Sequence, residues 1–148
     1  MKVMTVVSVL SVTLLTACAG ARQAEQFFSR QCSDGVLHLG GLTAARSESE
    51  LNQTNGQGTE NLALACVAQP TPPVFVYMSS IAAAGPINLP RPRTEDDPPA
   101  PISAYGRSKR AGEIGLERLA GQLPVSILRP GIVFGPRNIE LLPAFRSI

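Results

Sequence analysis

Cysteine and histidine are too few and too scattered to build the sites they usually build. Cys18, Cys32 and Cys66 make an odd number at wide spacings, which excludes a disulfide framework and a C-x-x-C metal or redox pair and leaves buried or free thiols. A zinc centre recruits several imidazoles or thiolates close together, and with His38 as the only histidine no metal is implied. The 13 basic residues barely outnumber the 11 acidic ones, for a formal charge of +2. They gather into no stripe of the kind nucleic-acid binding leaves, so no nucleic-acid partner is expected. There is no internal repeat or low-complexity tract.

What is present describes a chain that folds. Its 148 residues, 44% hydrophobic and 16% charged, suffice for one domain around one core. The first eighteen residues carry two readings. Met1-Lys2, an apolar run from Val3 to Leu15 and then Leu15-Thr16-Ala17-Cys18 resemble a bacterial lipoprotein signal, in which the cysteine becomes the lipidated first residue. The run is too short to span a bilayer, and one lysine makes a weak n-region. The β-branched Val3, Thr5, Val6, Val7, Val9, Val12 and Thr13 equally suit a buried strand of a parallel sheet. Pattern alone does not separate the two. The chain therefore divides into an N-terminal segment, 1–33, and a unit covering 34–148.

From Val36 onward the alternation of elements is regular. Val36 to Leu39 reads as a strand, Glu48 to Gln69 as mainly helix, and Val74 to Met78 as a second strand, apolar without alternation as burial on both faces requires. Pro86 to Pro101 holds six prolines among charged residues, a composition only a loop tolerates, and loops this long are usually functional or disordered. A further helix has defined ends: Ser103 to cap it, Gly121 where a left-handed C-terminal residue belongs, and Pro124 to stop it. Val125 to Leu128 gives a third strand. Strands alternating with helices at these intervals predict an α/β fold with a parallel sheet built from right-handed crossovers.

Tyr105-Gly106-Arg107-Ser108-Lys109 sets a phenol and an ammonium four residues apart, so on a helix both project from one face. A nearby cation favours phenolate and brings the phenol closer to exchanging a proton with an alcohol. Lys109 could instead pair with Glu113, also four residues on. Ser79 and Ser80 end the second strand, and the carboxyl ends of parallel strands are where open α/β sheets bind ligands.

Five ordered pieces then resemble one family. They are Val36-Leu37-His38-Leu39-Gly40-Gly41; Asn55 with Gly58-Thr59 and Asn61; Phe75 to Ser80; Tyr105 with Lys109; and Leu128-Arg129-Pro130-Gly131-Ile132-Val133-Phe134-Gly135-Pro136-Arg137. Together they resemble the extended short-chain dehydrogenases/reductases, the NAD-dependent epimerase/dehydratase group. The resemblance implies part of a doubly wound, Rossmann-like sheet holding strands four, five and six of the order 3-2-1-4-5-6. It makes Tyr105 the general acid/base, Ser80 (rather than Ser79) the hydrogen-bond partner of the substrate oxygen, and Lys109 both phenolate stabiliser and ribose-hydroxyl donor. Pro130 and Gly131 would lie near the nicotinamide of NAD or NADP. Asn55 either braces the Tyr105/Lys109 site or makes a plain helix hydrogen bond, and His38 is expected to be structural. The implied partner is a small molecule, such as a nucleotide sugar, met in the cytoplasm.

Departures from that pattern carry expectations of their own. The sequence contains no G-x-x-G-x-x-G turn, the element whose amides and helix N-terminus hold a pyrophosphate. Gly56-Gln57-Gly58 cannot replace it, because it falls inside a predicted helix. Gly40 and Gly56 stand where the family usually has alanine and an aliphatic residue. Ile148 is reached before the family's substrate-binding remainder, so the resemblance implies a fragment with impaired cofactor binding. The alternative is an inactive truncated or chimeric product, lipid-anchored if Leu15 to Cys18 acts as a signal. Without strand one, strand four would present an apolar edge open to self-association, unless Val3 to Val12 folds back to cover it.

Overall fold

The computed structural model describes residues 4–7, 35–87 and 91–133. Four parallel strands form one sheet in the order β1-β2-β3-β4, comprising β1 (Met4–Val7), β2 (Gly35–His38), β3 (Val74–Met78) and β4 (Val125–Leu128). Between β2 and β3 run α1 (Glu48–Leu51), a π-helical turn (Asn52–Gln57) and α2 (Gly58–Val67). The short α3 (Ile81–Ala84) follows β3, and α4 (Ala104–Leu119) leads into β4. The fold is α/β and Rossmann-like, as the alternation of patterns predicts.

β1 pairs with β2 from Met4↔Gly35 to Val7↔His38, on the flank opposite β3. In the order 3-2-1-4-5-6 that flank belongs to strand one. Cleavage before Cys18 would remove Met4 to Val7, so this pairing and a lipoprotein signal exclude one another in a single molecule. The Leu15 to Cys18 signature itself, with Cys18 and Cys32, lies outside the described residues. Amide exchange provides a test of the pairing. With both flanks occupied, successive amides of Val36, Leu37 and His38 should all exchange slowly. Rapid exchange at alternate amides would mean that β1 does not dock in solution.

The core lies on one face of the sheet. Val36, Phe75 and Tyr77 are fully buried there against Leu62, Ala63 and Cys66 of α2 and Leu116, Leu119 and Leu123 of α4 and its exit. This corrects the expectation that β3 is buried on both sides: Val74 is exposed, and Val76 and Met78 are half-buried, because the described helices that build the core pack on the Phe75/Tyr77 side. Burial also pushes the Cys66 thiol up to about 12, which keeps it an inert core group.

Helix ends follow local chemistry with one exception. Ser103 accepts from the Gly106 amide at 3.0 Å and starts α4 as expected. Its C-terminus does not use Gly121 in a left-handed conformation: Ala120 is right-handed, and the described positive-φ glycines are Gly41 and Gly85. Amides of Gln122 and Leu123 close the last turn on the Leu119 carbonyl at 2.8 and 2.9 Å, so a buried Leu123 ends the helix in place of a glycine. The helix lies close to the core because Gly112 lacks a side chain. A Cβ there would sit 2.7 Å from both the Asn55 carbonyl oxygen and the Tyr77 hydroxyl.

Candidate active site

Because the strands are parallel, the segments leaving β2, β3 and β4 emerge at one edge of the sheet: Leu39–Gly41, Ser79–Ser80 and Arg129–Pro130. Two backbone bonds join the last two: the Ser79 amide donates to the Leu128 carbonyl at 2.8 Å and the Ile81 amide to the Pro130 carbonyl at 2.9 Å. The first turn of α4 seats Tyr105 against this edge. A Cβ on Gly106 would lie 2.3 Å from the Ala82 carbonyl oxygen, so only glycine lets the helix start this near Ser80.

The two serines are held differently. Ser79 is buried and gives its hydroxyl hydrogen to Glu113 Oε1 at 2.5 Å. Ser80 is half-buried and caps α3, its Oγ accepting from the Ala82 amide at 3.2 Å. Ser80 therefore keeps an O–H to donate. Tyr105 is half-buried, and its hydroxyl has no hydrogen bond among the described residues.

Lys109, one turn beyond Tyr105 and 3% exposed, places its ammonium 4.3 Å from the centroid of the Tyr77 ring. That geometry gives a cation–π contact. Burial pulls the ammonium down to about 8, and the Glu113 charge pulls it back up. The alternative of a Lys109–Glu113 ion pair is not what forms, since Glu113 pairs with Arg129 and Arg110. Nor does any described residue accept a hydrogen bond from Lys109. Beside it, a Cβ on Gly41 would come 3.5 Å from Nζ and 2.9 Å from Asn55 Oδ1, so only glycine lets the loop after β2 pack this close to Asn55 and to a buried ammonium that has no acceptor among the described residues.

A polar chain supports the Tyr105–Lys109 turn from behind. Asn55, fully buried on the π-helical turn, exchanges two 2.8 Å bonds with the Leu42 backbone and donates to Ser108 Oγ at 2.8 Å. Ser108 in turn donates to the Tyr105 carbonyl at 2.8 Å. π-Helical turns often occur at functional positions; here the turn carries an asparagine that links the loop after β2 to α4. Thr59 donates to the Asn55 carbonyl at 2.7 Å, so its oxygen is the acceptor for His38 Nε2 at 3.0 Å. His38 stacks on Tyr77 with centroids 5.3 Å apart. Burial and the Lys109 charge lower it to about 3, leaving a neutral packing residue.

Of the residues expected at the site, Ser80, Tyr105, Lys109 and Pro130 border this edge, and Gly131 continues from it as an exposed residue with nothing within 4 Å of its Cβ position. Phe134 to Arg137 lie outside the described residues. Two features escape sequence reasoning. The π-helical turn was signalled only by weak helix formers around Asn55. The second is Glu113, whose place with Lys109, Gly112 and Leu116 on the buried stripe of α4 marked a carboxylate facing inward.

Residues 12–146 match the model of the NAD dependent epimerase/dehydratase family. A dTDP-6-deoxy-L-talose 4-dehydrogenase (NAD(P)(+)) of Kitasatospora kifunensis is 29% identical over 108 residues, 72% of this chain and 34% of its own length. The chain thus spans about a third of the curated relative it matches. A UDP-glucuronic acid 4-epimerase of Bacillus cereus, solved with NAD, superposes with a TM-score of 0.68 at 25% identity, covering 78% of this chain and 37% of that one. A dTDP-4-dehydrorhamnose reductase of Bacillus anthracis, solved with NADP, reaches a TM-score of 0.77 over 99% of this chain and 60% of that one. Its 19% identity speaks to the fold alone.

Proposed function

Because the chain belongs to the NAD dependent epimerase/dehydratase family, we propose that it carries the proton-transfer groups for an NAD- or NADP-dependent reaction at a hydroxyl or carbonyl of a nucleotide sugar. The observation that supports this most directly is a set of donors at one sheet edge that give their hydrogens to no acceptor among the described residues: the Ser80 O–H, the Tyr105 hydroxyl and the Lys109 ammonium. A bound nicotinamide would supply or accept the hydride at the substrate carbon. The chain's own residues handle the proton. Ser80 donates a hydrogen bond to the substrate oxygen, and Tyr105 takes the hydroxyl proton during oxidation and returns it during reduction.

The residues present fit the nicotinamide-ribose end of a dinucleotide. Lys109 is a buried ammonium with no acceptor among the described residues, and Gly41, which has no side chain, lies beside it. A ribose hydroxyl satisfies such a donor. Tyr105, Pro130 and Gly131 would border the same end. The relatives that support this reading include an epimerase solved with NAD, and the Kitasatospora relative is named for NAD(P)(+) and a dTDP-sugar.

Initial rates of cofactor reduction at 340 nm, with dTDP-6-deoxy-L-talose as probe, discriminate between the serines. Ser80→Ala should lose roughly ten- to a thousandfold in rate, as expected for one positioned donor. Ser79→Ala should lose less, because the Ser79 hydroxyl is already committed to Glu113. A larger loss in Ser79→Ala would move the role one residue upstream. An unaffected Ser80→Ala rate would remove Ser80 from the site.

A further inference from the structure

The buried carboxylate of Glu113 collects four hydrogen bonds from three separate parts of the chain. Its Oε1 accepts from Ser79 Oγ at 2.5 Å and Arg129 Nε at 2.8 Å; its Oε2 accepts from Arg129 Nη2 at 2.7 Å and Arg110 Nη1 at 3.1 Å. Its side chain has no solvent exposure. Every donor adjoins a residue of the proposed chemistry: Ser79 precedes Ser80, Arg110 follows Lys109, and Arg129 precedes Pro130.

We infer that Glu113 is the positioning residue of this site, a single carboxylate that fastens the Ser80 strand end, the Tyr105–Lys109 helix and the Pro130 segment to one another. The inference rests on the function proposed above and extends it to a residue that touches neither substrate nor cofactor.

Charge and geometry make the case together. Burial alone would raise the Glu113 carboxyl, but the bonds from Arg129, Ser79 and Arg110 outweigh it and hold the group below its ordinary value. It stays ionised, and charge-assisted bonds to a planar guanidinium fork fix direction as well as distance. A buried ion pair seldom adds net stability over a well-packed apolar replacement. What this one adds is a fixed spacing among segments 34 and 16 residues apart in sequence. The carboxylate also stands one turn beyond Lys109 on the same helix and pulls its ammonium toward the charged form.

The test uses Glu113→Gln in the full chain, with two readouts that need no turnover. The first is amide exchange at Ser79 and Ile81, whose bonds to the Leu128 and Pro130 carbonyls report the junction, compared with Phe75, whose bond to the Pro124 carbonyl reports the core. A positioning role predicts exchange about tenfold faster at Ser79 and Ile81, with Phe75 unchanged. The second is the titration of Lys109 by 13Cε NMR, which is readily assigned because Lys2 and Lys109 are the only lysines. Its midpoint should fall roughly one pH unit below the wild-type chain's on loss of a neighbouring negative charge. Equal acceleration of all three amides, or an unmoved Lys109 midpoint, overturns the proposal. Should Glu113→Gln fail to fold, Ser79→Ala cuts one arm and keeps both arginine pairs. It must then speed Ile81 exchange selectively, and no change there overturns the proposal too. If Tyr105→Phe keeps its activity while these signals appear, the proposed chemistry fails and the positioning geometry stands.

Discussion

The Tyr105→Phe chain is expected to lose turnover by roughly a hundred- to ten-thousandfold, the contribution of a positioned general acid–base group, and so to fall below detection. Its fold should be nearly untouched. The substitution removes one half-buried hydroxyl that bonds to no described residue, while Ser108 still ties the Tyr105 carbonyl to Asn55. A change in stability within about 0.5 kcal/mol follows, as for other substitutions that break no buried contact. Initial rates at 340 nm beside thermal unfolding separate the two effects. A rate retained by the folded variant removes Tyr105 from the chemistry, and a matched loss of rate and stability would mark it as structural.

Affinity for NAD is expected to be weaker than millimolar, even with Lys109, Pro130 and Gly131 in the proposed nicotinamide-side positions. The sequence contains no G-x-x-G-x-x-G turn, the element whose backbone amides and helix dipole offset the desolvation of two phosphate charges. Charge-assisted hydrogen bonds contribute about 1.5 to 3 kcal/mol each, so losing two or three removes roughly 4 to 6 kcal/mol. At about 1.4 kcal/mol per factor of ten, a micromolar site becomes millimolar or weaker. In the function proposed above Lys109 and Pro130 would meet the other end of the cofactor, so they would not compensate. Isothermal titration with NAD and NADP, or saturation-transfer NMR, gives the constant directly. A micromolar value would mean that Val3 to Gly20 supplies a phosphate site without the usual glycines.

Much of the frame was legible in sequence because it depends on neighbours along the chain. The apolar runs at Val74–Met78 and Val125–Leu128 are bounded by prolines and polar residues, and both strands lie where those runs end. Ser103 starts α4 because its hydroxyl accepts an amide three residues on, a contact settled within one turn. The other end of that helix departs from its local signal for the converse reason. Gly121 had the right local propensity, but burial of Leu123 closed the turn in a right-handed conformation instead. The half-exposed far side of β3 was likewise invisible, since an apolar strand reads alike whichever face the helices cover.

By itself, then, the sequence determined the α/β class and the order of elements, and its resemblance to the family nominated Ser80, Tyr105 and Lys109 as the candidate site residues. The class and the element order follow from periodicity and turn residues, and the pairing of Tyr105 with Lys109 from spacing on one helix, all short-range. Only the tertiary structure decided that the Ser79 hydroxyl hydrogen goes to Glu113 while Ser80 only accepts, that the Lys109 ammonium rests on the Tyr77 ring, and that β1 flanks β2. It alone joined Asn55 to Ser108 across 53 residues and Ser79 to Glu113 across 34. Such contacts carry no local signature, because a buried polar group takes whichever partner packing brings within reach once water is excluded.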